Sequence, residues 1–156
     1  LICHKNSRFK KNEKAIRKII NEERKFKIES FKTYINFYEK INSIKNKINN
    51  LLLKIKKNNQ SIHGYGASTK GNVLLQYFSI SKNLIPFIAD KNIQKYNSYT
   101  PGTKIKIISE NNSRKMKPNY YFVLPWHFKS EILVREKKIR KKGTKFIFPF
   151  PKLQVL

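Results

Sequence analysis

The first 63 residues contain neither glycine nor proline; all eleven such residues fall between Gly64 and Pro151. Glycine supplies backbone freedom for tight turns, and proline interrupts helices and β-ladders. The first part of the chain is therefore restricted to long helices, and the second to short elements punctuated by loops. Residues 11–24 read as a basic helix carrying Ile16, Ile19 and Ile20. A second helix is expected from Ser30, a suitable N-cap, to Lys57. Its apolar residues Phe31, Ile35, Tyr38, Ile41, Ile44, Ile48, Leu51, Leu52 and Ile55 recur every three or four positions, which places them on one face. At 1.5 Å per residue it would be about 40 Å long. The stripe is expected to pack along its own domain, with a coiled-coil or dimer seam as the first alternative and a basic membrane-surface helix as the second.

At 156 residues, with 39% apolar and 13% aromatic side chains, the chain has enough material for one folded domain with a core and too little for two full-sized ones. No apolar run reaches the length of a membrane span. The start, LICHKNSRFKK, lacks the order of a secretory signal. It does not begin with Met, and Leu1-Ile2-Cys3 resembles the end of a buried strand, so the chain is expected to be the C-terminal part of a longer one. The single cysteine, Cys3, allows no internal disulfide and fits a reducing, cytoplasmic setting; Cys3-His4 alone makes no metal site. The net charge of +26 invites a nucleic-acid partner. Against this, Lys outnumbers Arg 29 to 6, and Lys, Asn and Ile make up 67 of 156 residues, the bias of an AT-rich genome. The charge is also even: residues 1–60 carry 17 basic and 5 acidic side chains, residues 61–156 carry 18 and 4.

In the second part, strands are expected at Ser61–Tyr65, Pro86–Ala89, Lys104–Ile108, Tyr120–Leu124 and Lys145–Phe148. Helices are expected at Lys70–Phe78 and Phe128–Lys138, with a short turn near Glu110–Ser113. Such alternation predicts an α/β fold, a Rossmann-like, mostly parallel sheet, with a helical N-terminal segment. The expected division is 1–60 and 61–156. Gly64, Gly66 and Gly71 fall within eight residues, in SIHGYGASTKGNVLLQYF (61–78), between a strand and a helix. That order forms a phosphate cradle, because free amides at a helix start favour an anion and Lys70 adds a cation. The second spacing is longer than in G-x-G-x-x-G, and Asn72-Val73 stand where a P-loop needs Lys-Ser/Thr, so the turn matches neither motif. Glycines at such a corner also serve packing alone. Asp90, the only aspartate, ends the second strand and is a candidate ribose acceptor. Trp126 and His127 follow the fourth strand, where ligands of open sheets bind; His63, inside the first, reads as a core residue. The polar loop 91–103 offers Lys95 and Tyr99. No nucleophile–base pair or paired carboxylates point to catalysis within the chain. The residues alone give a nucleotide-binding α/β module. A basic nucleic-acid-binding protein and a fragment of a dinucleotide-dependent oxidoreductase are the competing readings.

Several motifs in fixed order add to this: GYGASTKGN (64–72), D-x-N-x-x-K (90–95), Y-x-P-G-T (99–103), N-Y-x-x-V-L-P-W-H (119–127) and K-F-I-F-P-F-P (145–151). Together they resemble the C-terminal domain of S-adenosylmethionine-dependent sugar C-methyltransferases, and CHKNS with ESFKTYINF resembles that family's junction with its middle domain. The resemblance implies a second Rossmann-like unit that holds a nucleotide sugar. It assigns S-adenosylmethionine and the catalytic bases to a middle domain, and zinc to an N-terminal domain, neither of them in this sequence. No catalytic residue and no metal site are then expected here, and the chain alone would be inactive. Carried over by position, the substrate-binding candidates are Gly64, Tyr65, Gly66, Ala67, Lys70, Gly71 and Asn72 at the turn. Asp90, Asn92, Lys95, Tyr99, Pro101, Gly102 and Thr103 follow in the loop, and Pro125, Trp126 and His127 close the fourth strand. Ile93, Tyr96 and Asn97 replace the family's usual Pro, Gln and Gly, and Lys104 and Lys106 its frequent His and Pro. These departures concentrate in the loop that would choose the sugar and the nucleotide.

Overall fold

The computed structural model describes residues 4, 6–8 and 10–156. The strand end expected at Leu1–Cys3, and with it the lone cysteine, lies outside the described residues. The chain divides into two compact units, residues 1–42 and residues 43–156.

In the first unit, helix α1 (Glu13–Lys25) starts at Asn12, whose side chain accepts from the Ala15 amide at 3.0 Å. Glu13 in its first turn and Arg24 and Lys25 in its last suit the helix dipole. None of its residues is buried. Lys27, at φ 52°, turns the chain into α2 (Phe31–Lys57), which continues through the division into the second unit. The α2 stripe is buried only from Ile44 onward, at Ile44, Ile48, Leu52 and Ile55. Phe31, Ile35 and Tyr38, on the same predicted stripe, are exposed.

In the second unit, five strands come within two residues of their expected ends: β1 (Ile62–Tyr65), β2 (Phe87–Asp90), β3 (Lys106–Ser109), β4 (Tyr120–Val123) and β5 (Lys145–Phe148). A sixth, β6 (Gln154–Val155), is not apparent in the sequence; it pairs antiparallel to β5. The order is β3-β2-β1-β4-β5-β6, all parallel except the last pair. This is the strand order of a doubly wound sheet, with the direction of winding reversing between β1 and β4. Helices α3 (Thr69–Tyr77) and α4 (Glu110–Lys115) follow β1 and β3. The helix expected at Phe128–Lys138 is two, α5 (Lys129–Arg135) and α6 (Lys137–Lys141), separated at Glu136.

Strand alternation builds two core faces. Tyr65, Ala89, Tyr121, Val123, Phe146 and Phe148 form one, against Ile132 of α5. Ile62, Ile88, Phe122 and Ile147, all buried, turn to the other. Beyond α3, Asn49 of α2 donates to the Phe78 carbonyl at 3.1 Å, and Lys56 to that of Asn83 at 2.9 Å. Among the described residues, no helix is long and apolar enough to cross a membrane.

Candidate functional site

The reversal point opens a cleft of about 500 Å³ at the carboxyl ends of the strands, the place where doubly wound sheets bind their ligands. Its first wall is the glycine turn. Gly66 has φ +79°, and a Cβ there would lie 2.7 Å from Cγ of Pro125. A Cβ on Gly71 would lie 2.4 Å from Cβ of Leu124. The room these glycines make is thus filled by the end of β4.

Most of the turn's amides are engaged within the chain. Those of Gly66, Ser68 and Asn72 donate to the carbonyls of Ala89, Gly66 and Ser68. The Gly71 amide donates to Oγ of Ser68, the N-cap of α3, at 3.1 Å. The Ala67 amide donates to Oδ2 of Asp90 at 2.7 Å, and the Asn92 amide to Oδ1 at the same distance. Asp90 therefore clamps the β1 turn to the start of the next loop. Its Oδ1 has acceptor capacity beyond this one bond, while Oδ2 also faces the Lys95 ammonium. Lys95 completes this corner: its ammonium donates to the Ala67 carbonyl at 2.8 Å and lies 3.5 Å from Asp90.

Of the residues proposed from sequence, Tyr65, Gly66, Ala67, Asp90, Asn92, Lys95 and Pro125 line this cleft. Asn72 and Pro101 line a smaller hollow of about 250 Å³, with Ala67 and Lys95 shared between the two. The Asn72 Oδ1 is buried and has no hydrogen-bond partner among the described residues. Lys70, Tyr99, Gly102, Thr103, Trp126 and His127 line neither. Gly102 lies against Gln76, and the Thr103 hydroxyl is 2.6 Å from that of Thr100. Trp126 packs on the core and on Phe150, ring centroids 5.0 Å apart, while His127 is exposed.

The opposite wall comes from residues that motif reading missed: Glu110 at the start of α4, Glu131, Ile132 and Arg135 on α5, and Phe128 before it. Glu136, buried beneath them, accepts from the Tyr65 hydroxyl at 2.6 Å and from Arg114 at 2.7 Å. Arg114 also donates to Glu110 at 2.8 Å; Arg135 donates to Glu110 at 3.0 Å and to the Tyr65 hydroxyl. Burial raises the Tyr65 phenol well above its ordinary pKa; the Arg135 bond opposes this, and Glu136 adds to it. Burial alone would lower both arginines. Glu136 and Glu110 reverse this for Arg114, and Tyr65 with the two carboxylates reverses it for Arg135, so both end above their ordinary values. Beside this network His63, buried as expected, lies 2.8 Å from the Ser113 hydroxyl, itself 2.9 Å from that of Tyr121. Burial lowers the His63 pKa to about 4. The signal that could have found the second wall is the scarcity of acids: Glu110 directly follows β3 and Glu131 lies in the first turn of the helix after β4, in a chain holding only nine acidic residues.

Among the described residues no group of three or more His, Cys, Asp or Glu could hold a metal ion. What the cleft offers is hydrogen-bond donors and acceptors, anchored cations, and an apolar edge from Pro125, Phe128 and Ile132.

An α/β unit of this order, with its cleft at the point of reversal, belongs to the Rossmann-like class. The chain is a member of the C-methyltransferase C-terminal domain family, whose model matches residues 1–151. It is 30% identical over 142 residues to C-methyltransferase NovU of Streptomyces niveus, a match covering 91% of this chain and 34% of that protein. The chain thus spans about a third of the length of that curated relative.

Proposed function

We propose that this chain is the nucleotide-sugar-holding domain of an S-adenosylmethionine-dependent C-methyltransferase. The observation that carries the reading is the cleft between β1 and β4, bordered by the glycine turn and by anchored Lys95 and Arg135, in a member of this family. S-adenosylmethionine would supply an electrophilic methyl group, held by the part of a longer enzyme corresponding to the remainder of NovU. The residues of this chain bind and orient. The apolar edge and the remaining acceptor capacity of Asp90 suit a nucleoside, and the cations suit a diphosphate. Fixing the sugar in line with the methyl donor can contribute up to about 7–11 kcal/mol toward the barrier. On this reading the 156 residues alone transfer no methyl group.

Titration of the chain with a nucleoside-diphosphate sugar, with nonspecific duplex DNA and with NAD tests the proposal. Saturable, roughly micromolar binding of the sugar nucleotide is expected, with DNA affinity collapsing as salt rises. DNA affinity that survives high salt, with no nucleotide binding, would refute it.

A further inference from the structure

In residues 43–156 basic side chains outnumber carboxylates 23 to 4, yet all four carboxylates stand at the cleft. Asp90, Glu110 and Glu131 line it, and Glu136 lies beneath, bonded to Tyr65. A solvated basic surface would scatter its few acids. Here three of the four hold cations in place. Asp90 lies 3.5 Å from Lys95, Glu110 lies 3.0 Å from Arg135, and Glu136 lies 2.7 Å from Arg114 and 3.4 Å from Nε of Arg135.

Lys95 and Arg135 reach the cleft from different elements, one from the loop after β2 and the other from α5. Each is fixed twice: Lys95 by Asp90 and the Ala67 carbonyl, Arg135 by Glu110 and the Tyr65 hydroxyl. Arg135 remains half exposed, and among the described residues its Nη1 engages no acceptor. A guanidinium held by two of its nitrogens, with the third free, is already oriented for an anion. Its Nη1 presents N–H donors in a fixed plane to a phosphate oxygen, whereas a lysine contributes a freely rotating point charge.

We propose that Arg135 and Lys95 form a two-sided clamp on the diphosphate of the nucleotide sugar. Arg135 is the orienting phosphate contact, and Glu110 is the residue that positions it. The inference rests on the reading of the cleft as a nucleotide-sugar site.

Calorimetric titration of the 156-residue chain with uridine and thymidine diphosphates, and with the two nucleosides, tests it. Arg135→Gln should weaken diphosphate binding roughly tenfold or more, as expected for a lost charge-assisted bond, and leave nucleoside binding unchanged. Arg135→Lys should recover only part of the loss, Glu110→Gln should lose less than Arg135→Gln, and Lys82→Gln, away from the cleft, should lose nothing. Thermal melts check that each variant folds; should Arg135→Gln fail to fold, Arg135→Lys decides by the same criterion. If the unaltered chain binds diphosphates and the arginine variants match it, the clamp is wrong while the cleft reading stands. A loss as large for Lys82→Gln would mean diffuse charge and would also overturn it. If the unaltered chain binds neither the diphosphates nor a sugar nucleotide, the cleft reading fails and takes the clamp with it.

Discussion

The two halves of α2 carry the same apolar stripe and meet different fates. From Ile44 to Ile55 it is buried in the second unit; from Phe31 to Tyr38 it is exposed, as are the isoleucines of α1. The acids divide in a similar way. Five of the nine lie before residue 43, where most belong to helical surfaces, and the other four are drawn to one cleft. The contrast teaches that periodicity names the face a helix would bury and says nothing about what buries it. In the same way, an acid's position in the sequence gives its charge and leaves out which cation it will hold.

The sharpest way to break this comparison is within α2, where Leu52→Ala should cost about 2–5 kcal/mol in urea unfolding, as truncations in filled cores do. Ile35→Ala, on the same predicted stripe, should cost no more than about 0.5 kcal/mol. A large effect at Ile35 would show that its face is covered in solution.

Among the acids, the contrast is tested at Glu136. Removing the buried carboxylate takes the acceptor from the Tyr65 hydroxyl and leaves Arg114 with Glu110 alone, so Glu136→Ala should cost about 1–3 kcal/mol in urea unfolding. An exposed acid of the first unit, such as Glu22→Ala, should stay within about 0.5 kcal/mol. Equal costs would mean that the network contributes nothing to the fold.

The smallest effect is a slope with pH. His63 binds its proton more weakly in the folded chain, at about 4, than at its ordinary 6.5. Its contribution is complete above pH 6.5 and declines as pH falls toward 4, where the unfolded chain takes up the proton first. At 1.36 kcal/mol per unit the loss reaches at most about 3 kcal/mol. His63→Gln should flatten that part of the stability profile; an unchanged slope would place the titration elsewhere.

The sheet was legible because each strand is bounded by glycine, proline or asparagine and keeps an alternating or apolar core run. β6 was not, since two residues that pair only because β5 offers an edge leave no local pattern. The break between α5 and α6 falls at Glu136, whose backbone leaves helical geometry (φ −95°, ψ 17°) and whose carboxylate is held by Arg114. That partner is 22 residues away and invisible to a helical template. The same reason hid the second wall of the cleft: Arg135 and Glu110 are 25 residues apart and meet only after the crossover from β3 to β4. The glycine turn, by contrast, is local, and its place beside the cleft followed from the order of strand, turn and helix.

Gly66 against Pro125 and Gly71 against Leu124 make the start of α3 and the end of β4 a single interlocked piece. Neither side can gain a methyl group unless the other yields, so selection can hardly retune this corner one residue at a time. Variation that diversifies what the domain accepts should accumulate across the gap, on the exposed positions of α5.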